Sequence, residues 1–451
     1  MIDLELVRHA VQAACQAGAD AADALQLDSD SVEARVRGDE IDYVKRARER
    51  ALGLRAFVRG ARGLSTALVS TSDLSSAAIG RLAADAVALA RATAEDPDAG
   101  LPSEGFAAAW PDLGLLDPRD RELPLETQLE HAREAERAAR GVDPRIVNSE
   151  GTSVGSSFDA LAFASSTGFE GCYEGAHHSL VSSPVAAEDG AMQTDYWMTA
   201  ARRRSELEPP ESVGRRAAER ALAQLGARRL PTQRVPVIFE APAARSVLGN
   251  LAQCLTGGAV YRKISFLAGR LGERIGSDAV SVTDDGRRPG GLGSRPFDAE
   301  GQATRRTVAV ERGELRSYLL DTYSARKLGL PSTGNATRGT GSAPSAAPTN
   351  LWLEPGSGSL DQLLHDTGRG LLVTGLFGQG FNPVTGDFSR GARGFWIEGG
   401  ARAFPVEEIT VAGNLGELLR DVDRVASDLL WLGSLSAPSF RVAQLTVAGS
   451  A

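Results

Sequence analysis

A chain of 451 residues exceeds the size at which one hydrophobic core usually divides, and its 42 % hydrophobic and 24 % charged residues exclude collagen-like, coiled-coil and disordered classes. A formal charge of −9 excludes the overall basic footprint that binds phosphate backbones, so nucleic acid is not an expected partner. Three dispersed cysteines, Cys15, Cys172 and Cys254, form neither a CxxC pair nor a disulfide framework, and with no basic leader and no apolar run of membrane-spanning length the chain reads as cytoplasmic, without a membrane partner.

Leu4, Val7, Val11, Ala14 and Cys15 share a helical stripe, which predicts an opening helix over residues 3–17 with Cys15 in the core. Alternating runs then predict strands from about Ala24 to Ser70, ending in a hairpin whose turn is Arg59-Gly60-Ala61-Arg62-Gly63. Ser70-Thr71-Ser72-Asp73 offers capping oxygens to a helix that carries Ile79, Leu82, Ala83, Ala86 and Ala90 and is stopped by Asp96-Pro97. A loop over residues 95–121 leads to a second helix from Pro124, buried through Leu125, Leu129, Ala132 and Ala139, with His131 on its solvated side. Residues 145–200 return to apolar and polar alternation, the pattern of antiparallel sheet with one wet face. The triplet Arg202-Arg203-Arg204 reads as a solvated stretch, and a helix over Pro210 to Leu225 closes the first half.

Gly226 to Gln233 reads as a linker. Beyond it come an apolar strand, Val235-Pro236-Val237-Ile238-Phe239, and a helix from Ala243 to Leu255. Glycine-rich, strand-like sequence then runs almost to Gly413, followed by a helix from about Leu415 to Leu430. Such text predicts a curved or barrel-like antiparallel sheet rather than a doubly wound one. The expected fold class is therefore α+β in two domains: residues 1–230, an N-terminal domain of antiparallel sheet and helices, and residues 231–451, a glycine-rich, mainly antiparallel β domain.

Gly151-Thr152-Ser153-Val154-Gly155 matches the GxSxG pattern of a hydrolase elbow, but an elbow needs a strand turning into a helix and the following residues alternate like a strand. Gly375, Gly378 and Gly380 lack the helix start and the Lys-Ser/Thr of a phosphate loop. Of the five histidines, His9, His131, His177, His178 and His365, no two stand four or five residues apart, so neither HExxH nor HExxxH occurs. His177 and His178 are neighbours in a predicted strand and point to opposite faces.

Several segments of the second half resemble the TldD/PmbA family. They include Ser265-Phe266-Leu267-Ala268-Gly269-Arg270-Leu271-Gly272-Glu273-Arg274, Arg295-Pro296-Phe297-Asp298-Ala299-Glu300-Gly301 and Leu320-Asp321-Thr322-Tyr323-Ser324-Ala325-Arg326-Lys327-Leu328-Gly329. Ser332-Thr333-Gly334-Asn335-Ala336-Thr337-Arg338, Gly380-Phe381-Asn382-Pro383-Val384-Thr385-Gly386-Asp387-Phe388 and Val406-Glu407-Glu408-Ile409-Thr410-Val411-Ala412-Gly413-Asn414-Leu415 complete the set. In the first half, Thr71-Ser72-Asp73-Leu74-Ser75 and Asp195-Tyr196-Trp197 are similar to the family as well.

The TldD-like branch of that family carries HExxxH on the helix after the first strand of its C-terminal half. Here the corresponding stretch is Gly249-Asn250-Leu251-Ala252-Gln253-Cys254, in a register good to about one position. A hydrolytic zinc needs three protein ligands, an open water position and a carboxylate base. Gly249 has no ligand atom, Asn250 does not ionise, and Cys254 alone cannot hold the ion, so Gly249, Asn250 and Cys254 read as degenerate metal-motif positions. No catalytic residue, metal or other cofactor is expected in this chain.

The resemblance therefore implies a TldE/PmbA-type pseudoenzyme subunit whose TldD-like zinc metallopeptidase partner supplies the metal and cleaves unfolded, extended or modified peptides, as in leader-peptide or microcin-type maturation. It leaves room for a homodimer of the isolated chain and names no peptide-binding residues. Two other readings stand beside it: a regulatory protein-binding module of the DNA gyrase modulator type, and a stand-alone non-zinc hydrolase built on Ser153 or Cys254.

Overall fold

In the long strands of the first half, apolar side chains reach the core over only part of the length, and that sets the shape of this half. A computed structural model describes residues 3–449. An open seven-stranded sheet runs Leu64–Thr71, Glu40–Arg59, Ala21–Arg37, Ile146–Ser165, Glu170–Glu188 and Ala191–Thr194, with Trp197–Ala201 also paired to Glu170–Glu188. Every pairing is antiparallel. Glu40–Arg59 is exposed or half-buried through its charged first part and buried from Leu52 to Phe57.

Two helix pairs cover one face. Leu4–Gln16 and Ser76–Ala92 pack through Val7, Val11, Ile79 and Val87 onto Leu52 and Leu54. Leu125–Arg140 and Pro210–Leu222 pack through Leu129, Ala132, Val213 and Ala217 onto Val154 and Trp197. On the other face Leu25, Phe163 and Phe169 meet Phe297 and Ala299 of the second half. The ring of Phe297 lies edge-on to Phe169 at 5.1 Å and to Tyr173 at 5.2 Å.

The second half is built on a ring of five strands. In ring order they are Gln233–Phe239, Gly370–Phe377, Asp387–Glu398, Ala401–Asn414 and Phe440–Ala448, with Thr410–Ala412 pairing Thr446–Ala448 to close the barrel. Only Gln233–Phe239 and Gly370–Phe377 run parallel within the ring. A smaller five-stranded sheet, Glu314–Leu315, Arg306–Glu311, Val282–Asp285, Leu351–Leu353 and Leu435–Ser436, packs beside it in the same core. The α+β class and the barrel-like, mainly antiparallel second half are as the sequence predicts.

Four local expectations are corrected. Cys15 is exposed, because it lies about 100° round the helix from the buried Ala14. The helix at Leu415 ends at Asp421, and the β-branched Val422 and Val425 flank the next strand, Val422–Val425. The glycine-rich stretch is not continuously strand-like: it contains helices at Thr322–Leu328 and Leu360–Thr367. Arg202 and Arg204 are half-buried, not solvated. Arg202 donates to the carbonyls of Ala176, Gly291 and Leu292, and Arg204 to the Ser156 hydroxyl.

The barrel brings backbones close at Gly394, where a Cβ would stand 1.8 Å from the Leu372 carbonyl oxygen. No rotamer relieves a backbone clash, so Gly394→Ala should lower unfolding stability by about 2–3 kcal/mol, read as a lower urea midpoint with unchanged far-ultraviolet circular dichroism of the folded state.

Candidate functional site

The barrel strand Gln233–Phe239 passes through Glu240 into the helix Ala241–Leu255, with Pro242 in its first turn, where a missing N–H costs nothing. Val247, Leu248, Leu251, Cys254 and Leu255 of this helix are buried in the large second-half core. The opposite stripe, Pro242, Arg245, Ser246, Gly249, Asn250 and Gln253, recurs at helical spacing and forms one wall of a cavity of about 650 Å³.

The other walls come from both halves of the chain. Thr374 to Gln379, the end of a barrel strand and its turn, faces the helix, with Arg390 and Arg393 from the neighbouring strand. Asp195, Tyr196 and Trp197 approach from the first half, with Arg220 from the helix Pro210–Leu222. The parallel pairing of this strand with Gln233–Phe239 covers only Leu371 to Val373. The outer edge of Gly375, Leu376 and Phe377 thus stands beyond the parallel ladder, on the cavity side.

Electrostatics organise this space. Asp195 is 2 % exposed; it takes the Arg393 Nη2 at 2.6 Å and the Arg220 Nε at 3.2 Å. Arg220 also reaches the Glu240 carboxylate at 3.0 Å. Burial pulls its guanidinium pKa down, and Glu240 and Asp195 more than offset that, leaving it raised. Arg390 differs. It donates to the Ser246 hydroxyl at 2.7 Å, and burial with no opposing carboxylate lowers its pKa.

The three positions expected from the resemblance to be degenerate separate in space. Gly249 and Asn250 line the cavity, whereas Cys254 is fully buried on the opposite side, its Sγ 3.8 Å from the Pro383 carbonyl oxygen. Burial pushes that thiol up to about 12, so it is protonated at neutral pH and is no thiolate ligand. Gln253, one turn beyond Gly249, is the residue that faces the cavity instead. Among the described residues no three His, Cys, Asp or Glu side chains come together as a metal-holding group. A glycine, two amides and a buried thiol do not fit a hydrolytic zinc.

A second constellation lies in the first half. His178 Nδ1 is 3.0 Å from Ser156 Oγ, and Nε2 is 3.4 Å from Asp120 Oδ2, beside a cavity of about 130 Å³. The distances suggest a nucleophile relay, but the setting does not. Ser156 sits mid-strand, paired with Val32 on one side and His178 on the other, and receives the Arg204 guanidinium at 2.7 Å. Its backbone is committed to the ladder and supplies no oxyanion donors. Ser153 is likewise mid-strand, accepting from Arg35 Nε at 3.2 Å, with no strand-to-helix turn at GTSVG. Sequence reasoning found the cavity helix but missed Asp195, Arg220, Arg390 and Arg393 as one cluster, because they meet only through tertiary contact.

The chain matches the PmbA/TldA metallopeptidase domain 1 over residues 22–90, the central domain over 118–225 and the C-terminal domain over 232–449. It is 39 % identical to the metalloprotease PmbA of Escherichia coli O157:H7, over 92 % of this chain and 89 % of that one. It is 36 % identical to a PmbA homolog of Haemophilus influenzae, over 99 % and 96 %. Among solved structures, a Bacteroides thetaiotaomicron protein with the provisional name modulator of DNA gyrase superposes with a TM-score of 0.90 at 29 % identity, covering 99 % and 98 %. TldE from Thermococcus kodakarensis shares the fold, with a TM-score of 0.88 at 23 % identity over 98 % and 100 %.

Two measurements check this description. Asp195→Ala leaves two guanidinium groups without their shared carboxylate, and should cost about 3–5 kcal/mol of unfolding free energy by chemical denaturation. Burial and Arg204 depress His178 to about 4, so its neutral ring stabilises the fold above the ordinary 6.5 and that contribution is lost as pH falls from 6.5 towards 4. In a nuclear magnetic resonance titration the His178 ring should stay neutral at pH 5.5; a midpoint near 6.5 would contradict it.

Proposed function

The chain belongs to the PmbA/TldD metallopeptidase family, and on that premise we propose that it is the non-catalytic, TldE-like subunit of a heterodimeric zinc peptidase. The observation that carries this reading is the cavity-facing stripe Gly249, Asn250 and Gln253: where a hydrolytic helix would present imidazoles and a proton-accepting carboxylate, this one presents a bare backbone and two amides. The partner, a chain bearing HExxxH, contributes the zinc. In this reading the present chain contributes a wall of the substrate chamber and part of the grip on the peptide.

The strand edge at Gly375–Phe377 supports that grip. An extended peptide pairs with an open edge through its backbone, which gives affinity with little side-chain preference and selects unfolded or modified segments over folded ones. Cytoplasmic peptide maturation or clearance suits such selectivity. No described helix is long and apolar enough to cross a membrane. A second reading, regulation by binding another protein, draws on the provisional name of the Bacteroides neighbour. With a net charge of −9 such contact would be with protein rather than DNA.

Mixing the purified chain with an HExxxH-bearing companion from the same source and an unstructured peptide tests the proposal. Cleavage should require both chains and be abolished by a chelator. Equal cleavage by the companion alone sinks the subunit role. Recovery of gyrase, with no metallopeptidase, on the immobilised chain would favour the regulatory reading.

A further inference from the structure

Charges around the cavity do not balance. Of its four lining arginines, Arg220 and Arg393 are engaged by Asp195, and Arg220 also by Glu240. Arg390 and Arg245 have no carboxylate within ion-pair distance among the described residues, and Asp195 is the only acidic residue in the lining. Arg390 is fixed by its bonds to Ser246 Oγ and the Leu376 carbonyl, at 2.7 and 3.5 Å, and its Nε is buried without any acceptor. Arg245 precedes Ser246 on the helix and lines the same cavity, its guanidinium lying beside Gly433.

Arg390 and Arg245 are half-buried; a guanidinium partly withdrawn from water without a counter-charge is costly to the fold, and bidentate pairing with a carboxylate is the geometry an arginine fork serves best. We propose that Arg390, held by the Ser246 hydroxyl, is the receptor for a carboxylate of the bound peptide, with Arg245 as a second cation in the same cavity lining. This rests on the reading of the cavity as a peptide site, and adds a preference that the strand edge alone does not give. Paired backbones are indifferent to side chains, whereas an uncompensated cation beside Leu376, with a second in the same lining, selects an acidic residue or a free C-terminus at one place along the peptide. The site requires no metal and belongs to this chain alone.

Calorimetric titration of the full chain with a short unstructured peptide in four forms tests the proposal: internal Glu or Gln, each with a free or an amidated C-terminus. One acidic form should bind about tenfold or more tighter than its neutral counterpart, the margin of a charge-assisted hydrogen bond. Whether it is the Glu or the free terminus identifies the source of the carboxylate. Arg390→Gln and Arg245→Gln should each reduce that preference while leaving the thermal midpoint unchanged or raised, since each removes an unpaired cation.

If all four forms bind equally, the carboxylate receptor is wrong and the peptide cavity stands. If none binds, both are wrong. A preference that survives both substitutions, or an Arg390→Gln chain that unfolds several degrees earlier with its preference intact, makes these arginines structural and overturns the proposal.

Discussion

The Asp195 carboxylate lies between two guanidinium groups that come from distant parts of the chain: Arg220 on a helix of the first half and Arg393 on a barrel strand of the second. Its backbone follows the short strand Ala191–Thr194, whose terminal carbonyl, Thr194, accepts from Arg393 at 2.5 Å. A charge at 2 % exposure is tolerated only when it is paired. The requirement to pair it therefore fixes how the first-half segment sits over the barrel mouth. The first-half wall of the cavity depends on that clamp, while the helix Ala241–Leu255 is set by its own packing into the second-half core.

With the helix so placed, its periodicity decides which residues can do chemistry. Leu251 and Leu255 anchor one side in the core, and residues three or four apart on the other side look into the cavity. Gly249 and Cys254 are five residues apart, about 140° round an ideal helix, and do not share a face. The thiol is therefore sealed against Pro383 while Gln253 takes the outward position. The arginines that remain uncompensated supply the cavity with charge but not with a base.

Much of this architecture was legible in the sequence because local chemistry agreed with the final fold. The first helix, the antiparallel first half and the strand that leads into the cavity helix follow from apolar spacing alone. The helices Thr322–Leu328 and Leu360–Thr367 also left signals: Asp321 and Ser324 form a capping box, Gly329 closes that helix at φ 65°, and Ser359 caps the next. Dense glycine obscured them. The arginine triplet misled in the opposite direction. Charge runs usually face water, but Arg202 reaches four backbone carbonyls that only tertiary folding places beside it. The charged cluster of the site had no sequence signature, since Asp195, Arg220 and the strand that carries Arg390 and Arg393 lie in three distant parts of the chain.

The account depends on this chain lacking the donors to hold a catalytic metal. The most direct test is zinc analysis of the chain purified free of any HExxxH-bearing companion and exchanged into metal-free buffer. The account predicts zinc far below one per chain, and no peptide cleavage when zinc is returned. One tightly held zinc per chain, with proteolysis rising in step with it, would contradict it.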